Sequence, residues 1–188
     1  MQDNYSDSAI SFEEAYNCVA MAYNPVHPEV QKAAGNLIEC LIHKGDLYDA
    51  ERFAQATLDS LKDPANGVDQ NSEEVAKGYL SLGKVIHIQD GDLDKAGRLA
   101  KEAHRIRIQL YGNDHYYIGA TTCLLASILH SQGKLGDETK QLYESYLAIM
   151  IKNEGLDGIN TAVGYENFTD YYFDLACNQV NSGTKKES

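Results

Sequence analysis

The sequence is short of positive charge, of paired cysteines and of long apolar runs, and it has no tryptophan. Sixteen lysines and arginines against 28 aspartates and glutamates leave a formal net charge of −12. A surface of that sign repels phosphate backbones and anionic lipid, which argues against nucleic-acid and membrane partners. Nowhere do about 18 apolar residues follow one another, and the opening Met1-Gln2-Asp3-Asn4-Tyr5-Ser6-Asp7-Ser8 has neither a basic flank nor an apolar stretch. A soluble, cytoplasmic chain is therefore expected. Cys18, Cys40, Cys123 and Cys177 form no C-x-x-C pair and have no histidine at zinc-ligand spacing, so they read as buried single thiols in a reducing compartment.

Catalytic signatures are missing too. There is no H-E-x-x-H, Walker loop or dinucleotide fingerprint. Asp90-Gly91-Asp92-Leu93-Asp94 alternates carboxylates like a calcium loop, but Lys95 stands where that loop needs glycine and Lys101 where it needs a bidentate glutamate. Helix capping at a turn accounts for it better. His43, His87 and His130 recur near the ends of three similar segments, yet they precede the turn glycines Gly45, Gly91 and Gly133 by two, four and three residues. At about 100° per residue their side chains diverge, and polar groups at helix ends are expected there rather than a metal site. The expectation is no catalytic residue, no metal, no cofactor, and a chain that is not an enzyme.

What the sequence does have is repetition. Three segments of the 188 residues align: Leu37 to Ala50, Leu82 to Ala96 and Leu125 to Leu135, with an incomplete fourth from about Phe168. The matched positions Leu37, Leu82, Leu125 and Phe168 lie 45, 43 and 43 residues apart, a period near 43. Each copy reads as helix, tight turn, helix. In the first, Leu37, Ile38 and Leu41 form one stripe and Leu47, Ala50, Ala54, Leu58 and Leu61 a second, at spacings of three and four. Between them Gly45-Asp46 supplies a left-handed stop and a capping start. Gly91-Asp92 repeats the device, and Gly133-Lys134 keeps its first half. Ala50 and Ala96 follow their glycines by five residues, where a small side chain lets two helices cross closely; Glu138 holds that place in the third copy.

These residues carry a resemblance. Leucine, turn glycine, then alanine five residues on is similar to the tetratricopeptide (TPR) repeat, and the long period resembles the variety found in kinesin light chains. Leu110-Tyr111-Gly112-Asn113-Asp114-His115 resembles the link between such repeats, as does His27-Pro28-Glu29-Val30 its second half. The sequence departs from that pattern in the longer link from Lys62 to Ser72, in one extra residue between Gly83 and Ala96, and in Tyr116, which replaces the linker proline. The resemblance implies an all-α fold, a right-handed superhelix of antiparallel helical hairpins. The array is expected over 12–176: a half repeat at 11–23, hairpins at 28–62, 72–111 and 115–153, and a final helix at 158–178, with flexible ends at 1–10 and 179–188. Starting on a second-type helix and ending on a first-type one suggests a section of a longer array, and leaves the oligomeric state open. Leu37, Leu41, Ala50, Leu58, Leu82, Ile86, Ala96, Ala100, Ala103, Leu125, Leu129, Leu142 and Phe168 are the expected core. Lys95, Arg98, Lys101, Arg105 and Arg107 are expected to make a mostly solvated basic face.

In the family the first helix of each pair lines a concave groove that receives a peptide or helix of a partner, which implies a non-catalytic protein-protein interaction scaffold. Carried over by turn position and period, the groove comprises Lys32, Asn36, Glu39 and His43, then Lys77, Ser81, Lys84 and His87, then Ser127 and His130, then Asn167, Asp170 and Asp174. It is basic at the N-terminal end and acidic at the C-terminal end. The resemblance further implies an extended partner with acidic residues lying toward Lys32, Lys77 and Lys84, and peptide-backbone contacts from Asn36 and Asn167. Leu124 and Ala120 replace the cationic positions of the chaperone-type carboxylate clamp, which disfavours capture of a C-terminal carboxylate. An alternative is a helical substrate-orienting domain of a larger enzyme, since the C-terminal region of SET and MYND methyltransferases looks similar in its hairpins.

Overall fold

A computed structural model describes residues 2–184, with side chains described from 10 to 180. Among the described residues there are eight α-helices and no strand: α1 (Gln2–Ala22), α2 (Pro28–Lys44), α3 (Leu47–Lys62), α4 (Glu73–Ile88), α5 (Leu93–Tyr111), α6 (Tyr116–Ser131), α7 (Asp137–Glu154) and α8 (Ile159–Thr184). Every expected helix is present. The ends differ: α1 is helical from Gln2 rather than from 11, and α8 runs on to Thr184 rather than stopping at 178. No proline interrupts either extension. Of the expected flexible ends, Met1 and 185–188 lie outside the described residues.

The helices group into two compact units, Met1–Leu110 and Tyr111–Ser188, where the sequence predicts one array. In the first, α1 packs on α2, α2 on α3 and α3 on α4, and α2 also meets α4. In the second, α6 packs on α7, α7 on α8, and α6 also meets α8. First helices thus touch the next first helix across an intervening second one, as stacked hairpins require.

The turns follow one scheme with an informative exception. Gly45 is left-handed (φ 88°), and its N–H and that of Asp46 donate to the carbonyls of Ile42 and Leu41. Gly133 (φ 69°) and Lys134 repeat those bonds to His130 and Leu129. In the second copy the left-handed residue is Asp90 (φ 50°), one place before the expected Gly91. Its N–H donates to His87 and that of Gly91 to Ile86, so the extra residue of this repeat falls after the stop. His87 and His130 then both stand three residues before it, and His43 two. Asp92 caps α5 by accepting from the Lys95 N–H at 2.8 Å, whereas Asp46 makes no side-chain cap and pairs with Lys44 at 2.6 Å.

Two links share a histidine device. His27 Nδ1 accepts from the Glu29 N–H (3.3 Å) while its ring stacks on Tyr23, and His115 Nδ1 accepts from the Tyr117 N–H (3.2 Å) while stacking on Tyr111. The long link after α3 is also ordered. Asp63 caps a short 3₁₀ turn, Pro64–Asn66, and Asn66 and Gln70 donate to the Ser60 and Leu61 carbonyls that α3 leaves open.

Eleven of the 13 expected core residues are buried; Leu142 and Phe168 are only partly so, packed beside a cluster of Ala126, Tyr143 and Tyr171. In the third hairpin the small buried residue is Thr139, one position after Glu138. A Cβ placed on Gly83 would stand 3.3 Å from the Ala96 carbonyl oxygen, so α4 and α5 approach closely there. Replacing Ala96 by phenylalanine is expected to cost roughly 1–3 kcal/mol by overpacking. An unchanged melting temperature would show that this crossing is wrongly placed.

The basic helix is mostly solvated, with Arg98, Lys101 and Arg105 exposed, and Arg107 is its exception. Arg107 is 3% exposed, and its guanidinium donates to both carboxylate oxygens of Glu73 on α4, at 2.8 and 3.3 Å. His104, one turn away, is held below the ordinary imidazole range by burial and by the Arg107 charge. Cys40 alone of the four cysteines is fully buried; Cys18 and Cys177 are exposed, and none is disulfide-bonded.

Candidate functional site

A cleft of about 470 Å³ opens in the first unit between α2 and α4, with α3 beneath. Five of the positions expected in a groove line it: Lys32, Asn36 and Glu39 from α2, and Lys77 and Ser81 from α4. They share it because positions spaced by three and four on α2 face away from the buried stripe of Val30, Ala34, Leu37 and Leu41. Its floor is small and neutral, with Gly35, Ala54, Thr57 and Gly78. A Cβ on Gly35 would meet nothing within 4 Å, whereas one on Gly78 would press on Leu58 and Leu61 at 3.2 Å.

The charge of this cleft is more balanced than the sequence implies. Lys84 gives both of its short contacts to Glu39, at 2.7 and 2.9 Å, so these two neutralise one another. Glu29 and Glu74 also line the walls, leaving Lys32 and Lys77 as its cations. His43 is exposed and His87 half-buried, each in the last turn of its helix and outside the lining.

In the second unit another cleft, of about 560 Å³, is lined by His130, Ser131 and Gly133 and by Asp170, Phe173 and Asp174 of α8. His130 bridges its wall. Nε2 lies 2.9 Å from the Asp174 carboxylate and Nδ1 3.3 Å from the Tyr143 hydroxyl. Burial pushes the Tyr143 phenol up to about 12, with Ser127 partly opposing it. Burial likewise raises the Cys123 thiol, although hydrogen bonds with Ser127 and Asn167 favour its thiolate. Both groups are consequently neutral near pH 7, which suits packing rather than nucleophilic attack. Asn167 turns its amide to Cys123 Sγ (3.5 Å), inside the unit, unlike Asn36. Among the described residues no group of three or more His, Cys, Asp or Glu side chains is placed to hold a metal ion.

The cleft residues that sequence reasoning missed fall into two kinds. Gln31, Gly35 and Glu74 sit on the helical face already assigned to the groove, so the same spacing reaches them. Ala54 and Thr57 belong to α3, a second-type helix, and only the three-dimensional depth of the cleft brings them in.

Solved structures share this arrangement. A Podosopora anserina protein of nearly identical TPR-like repeats, described as a kinesin light chain, superposes with a TM-score of 0.68 over 98% of this chain and 86% of its own, at 15% identity. A point variant of that protein gives 0.69 over 99% and 86%, also at 15% identity. BtubC (BKLC) from P. vanneervenii gives 0.68 over 93% and 67%, at 17% identity. The fold is that of TPR-like helical repeats. These TPR-like neighbours are of the kinesin-light-chain kind, which the long period and the links of the sequence resemble. No protein-family model and no curated protein matches the TPR-like chain. None of its described helices is long and apolar enough to cross a membrane.

Proposed function

We propose that the chain is a non-catalytic protein-interaction scaffold that holds an extended partner segment in the cleft between α2 and α4, with acidic residues of that segment directed at Lys32 and Lys77. The observation that carries this reading is the convergence of Lys32, Asn36, Lys77 and Ser81 on one open cleft with a small-residue floor. Asn36, exposed there, offers an amide to a peptide backbone, and Gly35, whose absent side chain faces open space, lets main chain approach closely. Lys84 acts at one remove by neutralising Glu39, which would otherwise repel an acidic segment.

The binding should weaken as salt rises, because exposed lysines are screened within about 10 Å at 0.1 M. An array of acidic peptides provides the probe. The Lys32→Glu/Lys77→Glu variant is expected to bind selected peptides at least about tenfold more weakly at low salt, with an unchanged circular dichroism spectrum. Equal binding by wild type and variant would remove the cleft from consideration.

A further inference from the structure

We infer that the α2/α4 cleft selects a mixed-charge segment, one that carries a lysine or arginine two positions from its acidic residue, rather than a run of acidic residues. The inference rests on the reading of that cleft as a groove for an extended partner and adds what the partner must contain. The register between the two walls carries it. Lys84 of α4 pairs with Glu39 of α2 at 2.7 Å, and they stand 45 positions apart in sequence, so residues separated by 45 lie level on the two helices. The same offset relates Glu29 to Glu74, Lys32 to Lys77 and Asn36 to Ser81, and all six line the cleft. On each helix these positions advance by three, four and three residues, which keeps them within about 80° of one face.

The walls therefore form a ladder of matched rungs. Nearest the helix N-termini is a rung of two carboxylates, Glu29 and Glu74, and about 4.5 Å along the helices comes a rung of two ammonium groups, Lys32 and Lys77. About 6 Å further on, Asn36 and Ser81 make a neutral rung, and the Glu39–Lys84 pair closes the series. Among the described residues, none of the four charges on the first two rungs makes an ion pair or a side-chain hydrogen bond. Glu73, next to Glu74 in sequence, is taken up by Arg107 instead. The open charges thus alternate in sign along the cleft, and both signs await a ligand.

Charge complementarity selects the occupant. The lining of α2 runs from Pro28 to Glu39, roughly 16 Å at 1.5 Å per residue, which gives an extended segment room to lie lengthwise. In such a segment, side chains two positions apart point the same way and stand roughly 6.8 Å apart. The long stem of a lysine or arginine takes up the difference from the spacing between rungs. A carboxylate between Lys32 and Lys77 then places a cation between Glu29 and Glu74. A segment that is acidic on both sides of that carboxylate sets a second negative charge against Glu29 and Glu74, whichever way the chain runs, and like charges across an interface select against such a partner.

The test uses the full chain and four short peptides of serine and alanine, read by fluorescence anisotropy at low salt. Two are mixed, with a central glutamate and a lysine two positions before it in one and two positions after it in the other. The third has three glutamates at alternate positions and the fourth three lysines. The better mixed peptide is expected to bind about tenfold more tightly than either the glutamate or the lysine peptide. Glu29→Gln/Glu74→Gln should weaken the mixed peptide about tenfold and strengthen the glutamate peptide, with an unchanged circular dichroism spectrum. Equal binding of the mixed and glutamate peptides by wild type would overturn the inference while leaving the cleft as a site for acidic segments. Tightest binding of the lysine peptide would overturn it too, because attraction would then be to the acidic chain at large. Lys32→Glu/Lys77→Glu tests the cleft itself and should weaken both the mixed and the glutamate peptide; if neither responds, the reading of the cleft as a groove fails, and this inference with it.

Discussion

Replacing Arg107 by alanine is expected to destabilise the first unit by about 3–5 kcal/mol, because it leaves the Glu73 carboxylate without its partner in a site largely withdrawn from water. Both partners are withdrawn from solvent, with side-chain exposures of 4% and 11%, so removing one leaves a buried charge rather than a solvated one. Glu73 sits in the first turn of α4, where the helix dipole favours its charge, and Arg107 clamps it from α5. The pair therefore fixes how α5 seats on α4. Arg107→Met with Glu73→Leu should recover most of the loss, since apolar replacements of similar volume for a buried pair are often neutral. Urea unfolding of the two variants and of wild type measures the difference; a loss below about 1 kcal/mol for Arg107→Ala would return Arg107 to the solvated face that the sequence suggests.

Tyr143→Ala is expected to cost the second unit a similar amount, about 3–5 kcal/mol, for a different reason. The ring is 1% exposed and stands against His130, Phe168 and Tyr171 at centroid separations of 5.8 to 6.2 Å. Its loss opens a cavity that α6, α7 and α8 all border. Tyr143→Phe preserves the volume and gives up only the hydroxyl contacts with His130 and Ser127, so it should cost less than about 1.5 kcal/mol. Calorimetric melting distinguishes them: comparable losses for both would place the stability in the hydroxyl network rather than in packing.

The helices and most of the core were legible because they depend on spacing alone: apolar residues at three and four, repeated every 43, leave few ways to bury themselves. The five positions of α2 and α4 that line the cleft, Lys32, Asn36, Glu39, Lys77 and Ser81, were legible for the complementary reason, lying opposite those stripes. What escaped depends on contacts between helices. Arg107 looks like its solvated neighbours until Glu73, 34 positions away, is seen beside it. Lys84 reads as a groove cation until Glu39 takes it up, 45 positions away. The stop at Asp90 escaped because the adjacent Gly91 offers the more obvious left-handed residue, and aspartate adopts that conformation at modest cost. Phe173 escaped because an exposed aromatic has no periodic signature.

Contacts between helices reach from one first-type helix to the next in each unit, as in α2 with α4 and α6 with α8. Bringing such partners together closes only short stretches of chain, so little entropy is lost before native contacts begin to compensate. Helical arrays of this kind fold in microseconds to milliseconds, and any hairpin can start the process. During synthesis, therefore, the first unit can begin to assemble while most of the second is still being made.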